Sequence, residues 1–537
     1  MGVTGLLQAV GKPTPTKISQ LKGLSFVIDG HCFLHKVAYA SAYALLIDDN
    51  VTPIVTRMII ILESFLKHAL FVTVVFDGGS LPSKLGTNDQ RRLSRAANLD
   101  AAKELLRQGR RGEANKCLSK AISFSTAQVA RIAHALYKAL RSKGDIAVMI
   151  APYEADAQIA YLHKIGLADV IVTNDSDILL YGPQKVLFKY DEAKGQGDLI
   201  IDDALSASMF ASLQSTTTAE SATSYSIRKV EAETLFQHRV MSACILSGCD
   251  YVPSLVGVGL TKSLSAITTH HTLLPAIHLL HGEKGRPVKD TVGDLNTYVR
   301  LVVQAVLTFR YHRVLDPLSM QAVHYTPVLD EDKALLTLLD QWFYGPPHTP
   351  LAACLGAMGL VHHTAYSTGY EEDSCISLTR WQIEDFDDDC VDLMLESMQR
   401  LHKAAVRASF RTPIKERSKS TIPFLLLEEL DLTRAHALIS TSATNIPPIY
   451  LGDKGAAYRH TRETPTYSPV SEPTVESILD EVSNTRISHI LHADAKIVTK
   501  VRDLLDEIDD EPILVMSESE PSRKAESVTG FTIIDLE

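Results

Sequence analysis

Short apolar, β-branched runs alternate with longer segments of helical spacing along the first 180 residues. Leu24-Ser-Phe-Val-Ile28, Phe71-Val-Thr-Val-Val-Phe76, Ile146-Ala-Val-Met-Ile150 and Val170-Ile-Val172 read as buried strands. Between them, residues 30–46, 52–70 and 126–142 carry the apolar spacing of helices, with Pro53 in a first turn and Gly144 as a C-cap. Pro152 opens a further helix. Strand–helix alternation predicts right-handed crossovers and a mainly parallel sheet flanked by helices, an α/β fold.

Each of these strands runs into carboxylates: Asp29, Asp77, Glu154 with Asp156, and Asp175 with Asp177. Ligands of parallel sheets gather beyond the carboxyl ends of the strands. A single Asp after a strand is usually a cap or turn residue, but six in parallel positions are not explained that way. On an extended backbone Asp175 and Asp177 point to the same side. Glu154 and Asp156 pose the opposite problem, because residues two apart on a regular helix diverge by about 200°. Both reach one site only if the turn at 153–155 is not yet helical.

Charge divides the chain. Its net charge is −11, yet residues 351–537 hold 18 Lys+Arg against 32 Asp+Glu, which leaves residues 1–350 at +3. From Lys84 to Lys120 ten basic residues face four acidic ones, in a polar stretch that begins just after Asp77. Lys84, Arg91 and Arg95 stand at helical spacing and form a candidate phosphate-gripping face, with Arg92 beside them. The glycine turn of Gly257-Val-Gly259-Leu-Thr-Lys262 opens a helix and offers backbone N–H groups to a phosphate. Seven cysteines without C-x-x-C spacing argue against structural zinc and a disulfide framework, so a reducing compartment is expected. With no charged-then-apolar leader and no apolar run of about 18 residues, the reading is soluble and intracellular, with no membrane partner.

Clustered hard carboxylates suit Mg2+ or Mn2+ rather than zinc. Two such ions about 3.5–4 Å apart serve phosphodiester hydrolysis. Nucleotide-binding P-loop, serine-hydrolase, zinc-protease and dinucleotide motifs are missing from the sequence.

The strings Met1-Gly-Val-Thr-Gly-Leu-Leu7, Phe76-Asp-Gly-Gly-Ser-Leu-Pro-Ser-Lys84, Ala151-Pro-Tyr-Glu-Ala-Asp-Ala-Gln158, Thr173-Asn-Asp-Ser-Asp177 and Cys244-Ile-Leu-Ser-Gly-Cys-Asp-Tyr251 resemble the structure-specific 5′-nuclease family, the XPG-type nucleases and flap endonucleases. They follow the family's order over residues 1 to about 345, and Leu81–Lys84 and Pro152-Tyr153 look like its exonuclease branch. The resemblance implies a PIN-like 5′-nuclease fold with a helical arch and a helix-turn-helix. It implies a metal set of Asp29, Asp77, Glu154, Asp156, Asp175, Asp177 and Asp250 holding two Mg2+, with Mn2+ able to substitute. Lys84 and Arg91 become the cations that draw in the scissile phosphate, and His31, Arg92, Arg95, Gly257, Gly259 and Lys262 become DNA contacts. Ser247, Ser254 and Val258 match positions around a K+ or Na+ in the helix-turn-helix. The chain departs from the family at His31, commonly a tyrosine that stacks on the terminal base, and at Asn174, often acidic.

The expected organisation is a nuclease region in 1–100 and 126–250, an arch over 80–125, a helix-turn-helix with core-closing helices over 250–345, and an acidic, mostly flexible tail over 346–537. The expected activity is 5′→3′ exonucleolysis of double-stranded DNA at nicks, gaps and ends, with 5′-flap cleavage, in nuclear mismatch repair, end resection and recombination. A monomer is expected, with mismatch-repair proteins meeting the tail; Arg417-Ser-Lys419 is the nearest candidate peptide there but lacks an aromatic pair. A flap endonuclease is the nearest alternative, and a catalytically silent DNA-binding scaffold the alternative from another class.

Overall fold

The structure is a computed structural model that describes residues 3–411 apart from 10–12, 202–239, 364–377, 381–387 and some shorter breaks. Its centre is a seven-stranded sheet: β1 (Thr14–Lys17), β2 (Ser25–Asp29), β3 (Phe71–Phe76), β4 (Ile146–Ile150), β5 (Val170–Val172), β6 (Lys185–Asp191) and β7 (Gln196–Ile201). The spatial order is β1-β7-β6-β5-β2-β3-β4. From β4 through to β6 all neighbours are parallel, while β6–β7 and β7–β1 are antiparallel. The sheet is therefore mixed, parallel where the carboxylates lie. Strands β2, β3, β4 and β5 are buried at every position, which is why they read as continuous apolar runs rather than alternating ones.

The helices follow the apolar spacing: α1 (Leu6–Ala9), α2 (Gly30–Ala38), α3 (Ala42–Leu46), α4 (Thr52–Leu66), α5 (Leu85–Arg107), α6 (Arg111–Ala121), α7 (Thr126–Leu140) and α8 (Ala155–Lys164). α4 places Ile54, Met58, Ile61, Leu62 and Phe65 on its buried face, at i, i+4, i+7, i+8 and i+11. α7 begins with a capping box in which Ser125 and Gln128 satisfy each other's backbone N–H. The basic stretch folds as the antiparallel pair α5 and α6. After residues 202–239, residues 240–246 are helical, followed by α9 (Leu260–His270), α10 (Leu273–His281) and α11 (Leu295–Tyr311). A hairpin of β8 (Arg313–Asp316) and β9 (Gln321–His324) packs against α8.

The first part of the expected tail over 346–537 includes described residues. Helix α12 (Pro350–Ala357), the pair β10 (Val361–His363) and β11 (Leu378–Arg380), and α13 (Asp388–Arg411) lie within it. α13 buries Val391, Met394, Met398, Leu401 and Ala405 and packs on β4 and α7. The Ser397 hydroxyl donates to the Val148 carbonyl at 2.9 Å and accepts from the Val148 N–H at 2.8 Å, so α13 caps the edge of the sheet. Residues 412–537, including Arg417 to Lys419, lie outside the described residues. Among the described residues no helix is long and apolar enough to cross a membrane, and the described cysteines are free thiols.

Candidate active site

Two turns meet at the carboxyl ends of β3 and β4. Gly78 N–H donates to the Tyr153 carbonyl at 2.7 Å and Gly79 N–H to that of Pro152 at 3.1 Å. A Cβ at Gly78 would run into the Ala151 carbonyl oxygen, so only glycine allows this approach. Asp77 then reaches across and accepts the Ala155 N–H at 2.8 Å, capping α8. Glu154 sits just outside that helix, extended at φ −82° and ψ 137°, while Asp156 lies in its first turn. The helical divergence therefore does not apply to this pair.

The other pair differs from expectation. The strand ends at Val172, and Asp175 and Asp177 are joined by a turn into a 3₁₀ helix rather than by extended backbone. Asp175 accepts the Asp177 N–H at 3.1 Å, and Asp177 accepts the Val3 N–H at 2.7 Å. The opening Met-Gly-Val string is thus tied into the site. Asp29, at the end of β2, accepts the Thr173 hydroxyl at 2.6 Å and the Cys32 N–H at 2.8 Å.

Burial pushes Asp29 up to about 7, with the Thr173 hydroxyl opposing and the charges of Asp77 and Asp175 adding to it. Burial likewise pushes Asp177 up to about 7, reinforced by Asp175. Asp156 is raised well above the carboxylate range by burial and then by Asp175, Asp29, Asp77 and Glu154. These groups share one field. Burial also opposes ionisation of Asp77 and Asp250, but both are lowered, Asp77 by His31, the Ala155 amide and Lys84, and Asp250 by Lys84 and Arg91.

Lys84 bridges two of the carboxylates, its Nζ lying 2.6 Å from Glu154 Oε1 and 2.9 Å from Asp250 Oδ2. Burial works against its charge, but the two carboxylates override that and raise its pKa. Arg91 donates to Asp250 from both terminal nitrogens, at 2.7 and 3.3 Å. Asp250 thus joins the site from the turn after the 240–246 helix. Thr87 secures that turn by donating to the Asp250 carbonyl at 2.8 Å.

The other expected residues divide. Arg95 lines a cleft of about 360 Å³ between α5 and α6 with Thr87, Gln90, Arg91, Ser94 and Lys120. Arg92 turns away and pairs with Asp89 on the exposed face. His31 stands beside Asp77 with Nδ1 3.7 Å from its carboxylate, and its ring meets His35 and Phe124. Burial first, then His31 and Arg95, lower His35 to about 4. Gly257 adopts φ +73° and α9 begins at Leu260, but Lys262 folds back to donate to the Gly257 carbonyl at 2.6 Å. Gly259 accepts the Ser263 N–H at 3.1 Å as the helix starts. Ser247 donates to the Cys244 carbonyl, Ser254 packs against the Gly248 turn, and Val258 is buried with its N–H on the Leu255 carbonyl.

Sequence reasoning missed Tyr251, Thr173 and His312. The Tyr251 hydroxyl donates to Glu154 Oε2 at 2.6 Å, and the Glu154 N–H donates to His312 Nε2 at 3.4 Å. Burial and the Glu154 charge push the Tyr251 phenol up, and burial lowers His312 to about 3, which keeps its imidazole neutral as an acceptor. The sequence signal for two of them is their place in the quoted strings, Thr173 two residues before Asp175 and Tyr251 directly after Asp250.

Among the described residues no three His, Cys, Asp or Glu side chains form a ready-made metal cage. Asp29, Asp77, Glu154, Asp175, Asp177 and Asp250 are turned onto protein donors instead. The donor set still fits a hard divalent cation, because Asp29, Asp156, Asp175 and Asp177 crowd one buried field that a cation would neutralise.

Two family models match the chain, the XPG N-terminal domain over residues 1–98 and the XPG I-region over residues 145–250. These two segments are similar to the XPG family. Among curated proteins it is similar to exonuclease 1 of Xenopus laevis, 34% identical over 328 residues, covering 61% of this chain and 41% of that protein. It is also similar to exonuclease 1 of Danio rerio, 32% identical over 331 residues, 62% of this chain and 38% of that one. The chain thus spans about two-fifths of the length of these relatives. The solved catalytic core of Rad2 in complex with DNA substrate overlays with a TM-score of 0.33 at 22% identity, over 51% of this chain and 71% of that one. That overlay is too loose to carry weight.

Proposed function

We propose that the chain is a divalent-metal-dependent 5′→3′ exonuclease of double-stranded DNA with 5′-flap endonuclease activity, acting as a monomer in nuclear DNA repair and recombination. The observation that carries this reading is the gathering of Asp29, Asp77, Glu154, Asp156, Asp175 and Asp177 beyond the parallel strand ends, with Lys84, Arg91 and Asp250 closing the site below the basic helix pair. Similarity to exonuclease 1 across about three-fifths of the chain supports it.

In this reading the seven carboxylates would hold Mg2+ or Mn2+, whose chemistry would be to activate a water and neutralise charge on the phosphodiester. Asp29, Asp175 and Asp177 are held in place by Thr173, the Asp177 N–H and the Val3 N–H. Lys84 and Arg91 bring positive charge to the scissile phosphate, and Arg95 and Lys120 extend it along the α5–α6 cleft. The His31 ring takes the place of a tyrosine as the stacking surface for the terminal base. The Gly257–Gly259 turn and the first amides of α9 hold the duplex backbone without reading bases. Contacts with mismatch-repair proteins fall to residues beyond 411.

The test is cleavage of a nicked duplex in Mg2+ by the wild type and by Asp175→Ala/Asp177→Ala. The double variant is expected to lose cleavage by at least about 10³-fold while still binding the DNA. Undiminished cleavage by the variant would remove the metal-site assignment.

A further inference from the structure

Glu154 leaves the backbone before α8 begins, so no helical packing fixes its side chain. Its carboxylate is held from two sides: Lys84 Nζ at 2.6 Å on Oε1, and the Tyr251 hydroxyl at 2.6 Å on Oε2. The Lys84 contact is shared with Asp250, so a lysine drawn toward a phosphate lets go of Glu154. The Tyr251 contact is of another kind. The tyrosine ring is 9% exposed and stands edge-on to Phe309 with centroids 5.0 Å apart, and Phe309 stands edge-on to Tyr181 at 5.4 Å. A ring packed in this way presents its hydroxyl at a fixed point.

We infer that Tyr251 is a positioning residue for the reaction proposed above, its hydroxyl holding Glu154 toward the carboxylate cluster when Lys84 is engaged elsewhere. The inference rests on that functional reading. The backbone around Tyr251 is built for the task. The Cys249 N–H donates to the Val252 carbonyl at 2.9 Å and closes the turn, and Thr87 fastens it to the start of α5. Adjacent residues of one turn thus take complementary parts: Asp250 accepts from Lys84 and Arg91, and Tyr251 donates to Glu154. The same turn leads into the Gly257–Gly259 loop and α9. A shift of that loop on a duplex is therefore transmitted to a carboxylate of the site through a single hydroxyl.

Tyr251→Phe removes the hydroxyl and keeps the ring on Phe309. The full chain is compared as wild type, Tyr251→Phe, Glu154→Gln and the double variant, on a duplex with one recessed 5′ end in Mg2+. Partners that orient metal-binding side chains are typically worth about 10–100-fold, so Tyr251→Phe is expected to lower kcat by that factor with KM within about twofold and thermal stability unchanged. Because Tyr251 acts through Glu154, the double variant should cleave no more slowly than Glu154→Gln alone. A kcat for Tyr251→Phe within about twofold of wild type, or a double variant slower than Glu154→Gln by the full single-variant factor, overturns the inference. Mn2+ titration calorimetry without DNA keeps the two readings apart. A wild type that fails to cleave removes the nuclease reading, while Mn2+ affinity still decides Tyr251: about tenfold weaker in Tyr251→Phe supports its role, and equal affinity overturns it.

Discussion

Lys84 carries more of the site's organisation than any single carboxylate. One ammonium joins Glu154, at the start of α8, to Asp250, more than 90 residues later, and with Arg91 it keeps Asp250 ionised. Lys84→Met should therefore separate two properties. Cleavage is expected to fall by about 10²–10³-fold, the usual effect of removing one donor that meets developing charge. Mn2+ affinity, measured by calorimetry, should hold or rise, because a competing cation has left the carboxylate field. A parallel loss of Mn2+ affinity would mean that Lys84 serves the metal site rather than the phosphate. At this scale the sequence is legible where chemistry follows a strand end, as at Asp29, Asp77 and Asp175. It is silent on His312 and offers for Tyr251 only its place beside Asp250, because both roles depend on which turn packs against α8 rather than on any spacing along the chain.

Among the elements, the fully buried strands β2 to β5 announce themselves through continuous apolar runs. β6 and β7 do not, because their residues vary between buried and accessible and they pair antiparallel beyond the parallel core. β1, only four residues long and containing Pro15, carries too little pattern to be read at all. α13 is hidden by the acidic run Glu384-Asp-Phe-Asp-Asp-Asp389 that leads into its first turn, although Val391, Met394, Met398, Leu401 and Ala405 recur at helical spacing. Its Ser397 satisfies both polar groups of Val148 on the edge strand, in a fully buried setting. Ser397→Ala should lower unfolding free energy in urea by about 1–3 kcal/mol, the cost of leaving buried backbone groups unpaired. Ser409→Ala, whose hydroxyl only bonds back to the Val406 carbonyl on the same helix, is the control and should change little. Equal stability of both variants would show that α13 does not close the sheet edge.

Across the whole molecule, charge and topology converge on one end of the sheet. The parallel strands deliver carboxylates there, the α5–α6 pair brings Arg91, Arg95 and Lys120, and the turn before α9 brings Asp250 against Lys84 and Arg91. The net charge of +3 over residues 1–350 against −14 over 351–537 keeps the basic surface with the site. This convergence is legible in the sequence, through its charge pattern and its strand ends. The closing of the turn at Gly78 on Ala151–Tyr153, which lets Glu154 and Asp156 share the site, is not, because it depends on contacts across the fold. The most direct measurement is cleavage of a duplex labelled separately at each end of one strand, with its 5′ end recessed. Mg2+ is expected to support stepwise loss of 5′-phosphorylated nucleotides from the recessed end only, chelation with EDTA to stop it, and Mn2+ to restore it. Degradation from the 3′ end, or cleavage that persists in EDTA, would contradict the proposed activity.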